Sequence, residues 1–271
     1  MDYLSYYNLK SEPFSIIPMS KFYYHSSEHD VAMERLTYAV EASKGLAVVI
    51  GDIGTGKTML ARRLLDTLPE DKYEASLLVI VHSDVDSKWF LKKIALQLGV
   101  ESISDDKVSL LSALLERLIA ISEEGKKAVI LIDEAQMLKK PDLMEEIRGL
   151  LNVELPEEKL LTFILFGMPE LEESISSDPP LAQRVAVKCR LRPFDIETAV
   201  GYVRHRLSLA GADGEIFSED AIRKVHIFSK GIPRLINVIC DNALFEGYLR
   251  KLKPPLGADL IEDVAEDLGI K

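Results

Sequence analysis

The stretch "AVVIGDIGTGKTMLARRL", from Ala47 to Leu64, has glycines and a lysine directly after a run of aliphatic residues. It fits the pattern G-x-x-x-x-G-K-[ST], with Gly51 as the first fixed position and 56–58 as the last three. The short, β-branched run at 46–50 predicts a buried strand. Leucines on one face, followed by Pro69, predict a helix over 57–68.

This strand, turn and helix together predict a phosphate-binding loop. A helix that begins after a glycine turn directs its free backbone N–H groups at an anion. Lys57 can reach the β- and γ-phosphates of a nucleotide, and the Thr58 hydroxyl can bind Mg²⁺. An ordinary glycine-rich turn is the alternative, which a match at every fixed position disfavours. The predicted nucleotide-binding residues are Gly51, Asp52, Ile53, Gly54, Thr55, Gly56, Lys57, Thr58 and Met59.

A second motif, "KKAVILIDEAQML", favours nucleotide hydrolysis over binding alone. It predicts a strand at 128–132 that ends in two acids, Asp133 and Glu134. Neighbouring strand residues point to opposite sides, so these two acids should have different roles. Asp133 suits Mg²⁺ beside Thr58, and Glu134 suits a catalytic role, orienting or deprotonating a water at the γ-phosphate. No guanine-binding N/T-K-x-D motif follows, which favours ATP over GTP.

The order of the predicted elements indicates an α/β fold, a P-loop NTPase with a parallel five-stranded sheet and flanking helices. Further strands at 75–82, 161–166 and 185–191 alternate with helices, as parallel strands with crossover connections require. After Asp195 only helices are predicted. We therefore expect an N-terminal arm and nucleotide-binding α/β domain over 1–194, and a small all-helical lid domain over 195–271.

Composition and charge narrow the possible partners and compartment. The 33 basic and 44 acidic residues give a net charge of −11, so nucleic acid is not favoured as a partner. The two cysteines, Cys189 and Cys240, match no metal or redox spacing and are expected to be buried thiols. The longest uncharged runs are about half a membrane span, and no secretory signal begins the chain. A cytoplasmic location is expected.

Six stretches resemble the AAA+ ATPases and, among them, the general secretion pathway protein A (ExeA-like) family. The phosphate-loop pattern is shared by many families, whereas the last two of these stretches are more diagnostic. The resemblance implies ATP and Mg²⁺ as cofactors, a homo-oligomeric ring, and a membrane or secretion-system protein as partner. The stretches are "YYNLKSEPFSIIP", "GDIGTGKT", "LIDEAQ", "ILFGMPEL", "RLRPFDIETAVGYVRHRL" and "GIPRLIN".

The same resemblance implies roles for two arginines and for an N-terminal segment. Arg184, in "AQRV", matches the arginine finger that reaches the γ-phosphate of a neighbouring subunit and contributes to catalysis. Arg234, in "GIPR", matches the lid residue that contacts nucleotide. A surface ion pair is the alternative for Arg184. In such proteins Phe14, Ile16 and Pro18 could line the adenine pocket, and plain core packing is the alternative there.

One position departs from the family pattern. The fourth strand of AAA+ proteins ends in a polar residue that positions the attacking water, whereas Met168 stands there in this chain. A thioether is a poor hydrogen-bond partner for water, so either that role is absent or Glu170 or Asn152 takes part. Slow hydrolysis would suit a nucleotide-driven switch.

Three functions stay open at this point. The first is an ATPase that oligomerises on nucleotide binding and drives assembly of a secretion or cell-envelope system. The second is a nucleotide-dependent adaptor on DNA, which would want a basic surface that this acidic chain does not show. The third is a slow-turnover nucleotide switch. Relatives commonly continue into a membrane helix, so the chain is expected to be cytoplasmic or the cytosolic part of an inner-membrane protein.

Overall fold

The structure is a computed structural model that describes residues 2–17, 19–156 and 158–270. The chain divides into two compact units. The α/β unit comprises Ser27–Ile53 and Lys57–Leu191, and the helical unit comprises Met1–Ser26, Gly54–Gly56 and Arg192–Lys271. Each unit contains its own core of buried apolar side chains.

The N-terminal arm groups by its contacts with the helical unit, whereas the sequence predicts it within a domain over 1–194. The Phe14 side chain is buried in the helical core, with its ring 6.2 Å from that of Phe217. The buried Arg206 guanidinium donates hydrogen bonds to the carbonyls of Pro13 and Ser15. These contacts join residues that are far apart in the sequence, so no local pattern in the arm predicts them. The other boundary lies at Arg192, three residues before the expected one at 195.

The α/β unit contains a parallel sheet of five strands, which confirms the predicted fold class. Its strand order is β2-β3-β4-β1-β5. The order places β4 between the strand that precedes the glycine turn and the strand that ends in Asp133. The carboxyl ends of β1, β3 and β4 therefore meet at one edge. The strands are β1 Leu46–Gly51, β2 Tyr73–Val79, β3 Lys127–Asp133, β4 Leu161–Gly167 and β5 Val185–Leu191.

Burial of the strands follows their position in the sheet. Every residue of β1 and β4 is buried, and in β3 all but Lys127 are. Helices cover both faces of a parallel sheet, so its central strands are apolar along their whole length. In β5, at one edge, exposed residues alternate with less exposed ones. That is why 46–50 and 128–132 read as uninterrupted apolar runs in the sequence.

Helices pack around the strands of the α/β unit, and several of them begin at an aspartate cap or a proline. Asp86 and Asp106 accept hydrogen bonds from the third residue beyond them, an interaction that satisfies a free N–H at a helix start. Helix α6 and a short hairpin of Glu154–Leu155 with Glu158–Lys159 were not predicted. The helices are α1 Ser27–Glu41, α2 Lys57–Thr67, α3 Ser87–Gln97, α4 Lys107–Glu123, α5 Pro141–Leu150 and α6 Pro169–Ser176.

The helical unit packs four longer helices and the N-terminal arm around its own core. Asp195 and Ser218 cap the first two helices, and Pro233 begins the third, a position where its missing N–H costs nothing. Within the described part of the chain, none of the helices combines the length and apolarity needed to cross a bilayer. The helices are α7 Ile196–Leu209, α8 Glu219–Ser229, α9 Pro233–Leu249 and α10 Ala258–Asp267.

Candidate functional site

The glycine turn between β1 and α2 has the backbone conformation that its sequence requires. Gly54 and Gly56 have φ angles of +81° and +104°, a region that glycine enters without steric cost. Helix α2 begins at Lys57, directly after the turn. The first N–H groups of a helix have no acceptor within the helix itself, which suits the start of α2 to binding an anion. Within the loop, Thr55 is buried, whereas Asp52 and Ile53 are exposed.

Lys57 is folded back over the loop. Its side chain is only 6% exposed. Its Nζ atom donates hydrogen bonds to the carbonyl oxygens of Gly51 at 2.7 Å and Asp52 at 3.0 Å. A buried cation is tolerated when oxygen atoms satisfy it. The Lys57 ammonium therefore lies on the loop, where the oxygen atoms of an anion could replace the two carbonyl oxygens as its acceptors.

The glycine turn and the acidic motif meet at Thr58. The Thr58 Oγ1 atom donates a hydrogen bond of 2.6 Å to Oδ2 of Asp133, and the Glu134 N–H donates one of 3.0 Å to Oδ1. Asp133 is 1% exposed. Burial raises the pKa of its carboxyl above the ordinary value, and the two hydrogen bonds offset only part of that increase. An ionised Asp133 is therefore poorly solvated and suited to a cation.

The donor chemistry at this contact fits Mg²⁺. The hydroxyl of Thr58 and the carboxylate of Asp133 are hard oxygen ligands, and Mg²⁺ commonly takes one or two such protein ligands with the rest from water and phosphate. Among the described residues no group of three or more His, Cys, Asp or Glu side chains could hold a metal by itself.

Glu134 occupies a strained turn at the end of β3. Its φ and ψ angles are 56° and 35°, the left-handed region, which costs an L-residue about 1–2 kcal/mol. The turn begins the 3₁₀ helix Ala135–Met137 and separates the Glu134 side chain from that of Asp133. The two acids make different contacts, and the reason is this left-handed turn rather than strand alternation, because β3 ends at Asp133.

Gln136 is a polar residue at this edge for which the sequence predicts no role. It is 4% exposed. Its Nε2 atom donates to Oε2 of Glu134 at 2.5 Å, and its Oε1 atom accepts from the backbone N–H of Met168 at 3.1 Å. A polar residue two positions after the acids, before a buried leucine, was the only available signal. The Met168 side chain itself offers no hydrogen bond of comparable strength.

An AAA domain model matches residues 40–175, which include the glycine turn, the two acids and Met168. The chain belongs to the AAA+ family. This confirms the family expected from the sequence and implies that the site binds nucleotide. The roles of individual residues within it rest on the geometry described above.

Two relatives extend the match of this AAA+ protein. General secretion pathway protein A of Aeromonas hydrophila is 35% identical over 99% of this chain, which confirms the expected resemblance, and the match covers 49% of that relative. An uncharacterized HTH-type transcriptional regulator of Methanocaldococcus jannaschii is 30% identical over 58% of this chain and 39% of its own length. The chain thus spans about half or less of the curated relatives that it matches.

A solved structure supports the fold of this AAA+ protein. The crystal structure of Cdc6p from Pyrobaculum aerophilum superposes with a TM-score of 0.71, at 16% identity, over 94% of this chain and 70% of that one. At such low identity the match concerns the fold alone. It agrees with the parallel five-stranded sheet and the helical region that follows it.

Arg184 contacts none of the loop or acidic residues in its hydrogen bonds. Its guanidinium donates to the Pro180 carbonyl and to Oδ1 of Asn152, each at 2.7 Å. Asn152, suggested as a substitute for a polar residue at position 168, therefore contacts Arg184 instead. Glu170, the other suggestion, is exposed on the first turn of α6.

Arg234 lies at the start of α9, and its backbone N–H donates to the carbonyl of Gly54 at 3.2 Å. Both residues belong to the helical unit as defined above. In the N-terminal arm, Phe14 is a core residue, which agrees with the packing alternative for it, whereas Ile16 is 65% exposed. Pro18, the third residue considered for an adenine pocket, lies outside the described residues.

Replacing Asp133 by asparagine should weaken Mg²⁺ binding without lowering the thermal stability of the metal-free protein. Since the folded state raises the pKa of this carboxyl, the group stabilises the fold more as the pH falls through that pKa, and its ionised form is unfavourable at neutral pH. Asparagine keeps an oxygen for the Glu134 N–H and removes the buried charge. Without metal, we expect the Asp133→Asn variant to unfold at the wild-type temperature or above it. With nucleotide, its apparent Mg²⁺ affinity should fall at least ~10-fold.

Thermal unfolding in EDTA and in ATP with Mg²⁺ measures both effects. Asp84→Asn is the matched control, because that side chain is 99% exposed and makes an ion pair of 3.4 Å with Lys140. An undiminished Mg²⁺ dependence in Asp133→Asn would contradict the assignment of a metal-binding role.

Proposed function

We propose that this AAA+ protein hydrolyses ATP and that its subunits assemble when nucleotide binds. The observation that carries the ATPase proposal is the 2.6 Å hydrogen bond from Thr58 to Asp133. This hydrogen bond joins the helix start after the glycine turn to the acidic end of β3. The turn and Glu134 can therefore act on one nucleotide. A nucleotide-binding loop without such acids would support binding alone.

The proposed reaction uses the chain's own groups as follows. The N–H groups of the loop and the start of α2 hold the phosphates, and Lys57 exchanges the Gly51 and Asp52 carbonyls for phosphate oxygens. Thr58 and Asp133 would hold Mg²⁺, which would supply positive charge that neutralises the phosphates. Glu134 accepts a hydrogen bond from the attacking water and orients or deprotonates it. Arg234 contacts the nucleotide as a second cation.

Arg184 supports a site shared between subunits. Its two hydrogen bonds are accepted by neutral oxygens, those of Pro180 and Asn152. Because neither hydrogen-bond partner is charged, the guanidinium can still bind an anion. The pKa of the exposed Glu154 carboxyl nearby is lowered first by a hydrogen bond from Lys159 and also by the charge of Arg184. We propose that this charge reaches the γ-phosphate bound by a neighbouring subunit and stabilises the transition state there. Hydrolysis would then need assembly.

The name of one relative supports a proposal for the cellular process. Similarity to a general secretion pathway protein over 99% of this chain supports a role in assembling a secretion or cell-envelope system. The chain corresponds to 49% of that relative, so its partners there are proposals as well. We place this region on the cytoplasmic side, where ATP is available, either as a cytoplasmic protein or as the cytosolic part of a membrane protein.

Mixing two inactive variants should restore activity if Arg184 acts on a neighbour. Glu134→Gln lacks the base but supplies the arginine, and Arg184→Ala has the reverse defect. We expect Arg184→Ala alone to lose roughly 10³-fold or more in ATPase rate. A mixture should regain activity that depends on the ratio of the two and exceeds the sum of the separate variants.

Light scattering with and without ATP and Mg²⁺ completes this experiment. Wild type and Glu134→Gln should give nucleotide-dependent oligomers, with the larger population in Glu134→Gln because it keeps ATP bound. Arg223→Ala is a control, since that arginine is exposed and pairs with Glu219 on its own helix α8. Strictly additive activity in the mixture would contradict a shared site. A monomer with normal ATP binding under every condition would favour the slow switch instead.

A second candidate is a nucleotide-dependent adaptor on DNA. The similarity to an HTH-type transcriptional regulator over 58% of the chain favours it. The net charge of −11 disfavours it, because phosphate contacts need basic residues. Binding of labelled duplex DNA, measured with ATP at two salt concentrations, separates the two proposals. Salt-dependent binding that requires ATP would support the adaptor.

A further inference from the structure

The buried amide of Gln136 connects Glu134 to Met168, two residues that are far apart in the sequence. One end donates to the Glu134 carboxylate and the other accepts from the Met168 N–H, at the carboxyl end of β4. Gln136 is in the 3₁₀ helix Ala135–Met137, so its side chain spans from β3 to the adjacent strand. A buried amide with both ends satisfied is a specific structural feature.

The chemistry of the two partners fixes the orientation of this amide. The Met168 N–H can only donate, so the amide oxygen must face it. The Nε2 group is then left as the donor to Glu134, and a carboxylate is the acceptor best suited to it. The reverse orientation would place two donors against each other at Met168 and two acceptors against each other at Glu134.

The surrounding residues leave room for this bridge. Gly167 precedes Met168, and a Cβ atom there would lie 3.2 Å from Oε1 of Gln136 and 2.6 Å from Cδ2 of Leu171. Any side chain at 167 would therefore displace the amide or the first turn of α6. The strained backbone of Glu134 starts the turn that brings Gln136 back under it.

We infer that Gln136 is a positioning residue that holds the Glu134 carboxylate for catalysis and does the work of the polar side chain absent at position 168. The inference rests on the proposed ATPase function. Gln136 donates its hydrogen bond to Oε2 of Glu134, so Oε1 remains as the acceptor for the attacking water. Because the other end of the amide binds the N–H at the tip of β4, a displacement of that strand end is transmitted to the carboxylate. Met168 thus contributes through its backbone.

Gln136→Met tests this role, because methionine has a similar length and can form neither hydrogen bond. We expect kcat for ATP to fall about 10- to 100-fold through loss of orientation, with KM and the affinity for a non-hydrolysable ATP analogue within about twofold of wild type. In the Glu134→Gln background the same substitution should cause no further loss, because Gln136 acts through Glu134. Gln97→Met, at an exposed glutamine of α3, is the matched control.

Hydrogen exchange of the Met168 amide provides a measurement that does not need hydrolysis. We expect at least ~10-fold faster exchange in Gln136→Met, since the N–H loses its acceptor. Gln136→Asn, which keeps an amide too short to reach both partners, serves if the methionine variant does not fold, and should show the same changes. A folded variant with unchanged kcat, or with unchanged Met168 exchange, would overturn the inference. If the Met168 amide exchanges faster in Gln136→Met but the wild-type protein does not hydrolyse ATP, the hydrogen-bond bridge is supported and the ATPase proposal is rejected.

Discussion

Glu134→Gln should bind ATP as wild type does and hydrolyse it roughly 10²–10⁴ times more slowly, the usual contribution of a general base. The substitution keeps the size of the side chain and replaces an acceptor of protons by an amide. Its new carbonyl oxygen can still accept the hydrogen bond from Gln136, so the strained turn at position 134 keeps its partner. The loop and Thr58 make their contacts elsewhere and should be unaffected.

Single-turnover hydrolysis at saturating ATP measures the chemical step, and equilibrium binding of a fluorescent ATP analogue measures affinity. Glu145→Gln is a suitable control, because that carboxylate is 72% exposed and pairs only with Arg148 at 3.7 Å. Hydrolysis at the wild-type rate would remove Glu134 from the reaction. A loss of binding together with hydrolysis would show that the substitution had disturbed the loop.

Much of the fold was predictable because the central strands are buried on both faces and are therefore apolar along their whole length. The runs at 46–50 and 128–132 are apolar on both faces, which only a strand covered from both sides requires. Helix boundaries followed from local signals, such as Asp195 before α7 and Pro233 at the start of α9. Of the candidate site, the contact between Thr58 and Asp133 was expected, since a strong motif stands on each side of it.

The parts that could not be predicted depend on contacts between distant segments. The bridge from Glu134 through Gln136 to Met168 requires the left-handed turn at Glu134 and the placement of β4 next to β3. Neither feature has a local sequence pattern, and a glutamine after two acids reads as an ordinary polar residue. The buried Arg206, whose partners lie in the N-terminal arm, was overlooked for the same reason.

Lys57→Ala should weaken ATP binding by about 10²-fold or more. Charge-assisted hydrogen bonds contribute about 1.5–3 kcal/mol each, and the lysine can offer more than one to the β- and γ-phosphates. A loss of about 3 kcal/mol corresponds to about 10²-fold in affinity. The stabilisation of the protein by ATP, read as a shift in unfolding temperature, should be lost at the same nucleotide concentration. Lys253→Ala, at an exposed lysine, should leave both unchanged.

The contacts of Lys57 without nucleotide complicate this variant in a way that a second one resolves. In the structure the ammonium satisfies the carbonyls of Gly51 and Asp52, so alanine removes both a phosphate ligand and a support of the loop. Lys57→Met keeps the aliphatic volume and removes only the charge and its hydrogen bonds. If charge is what binds phosphate, both variants lose affinity equally, although alanine unfolds at a lower temperature. If the packing of the aliphatic part of the side chain is what matters, the Lys57→Met variant should bind ATP better than the Lys57→Ala variant does. Undiminished binding in both would contradict the assignment of this loop to phosphate.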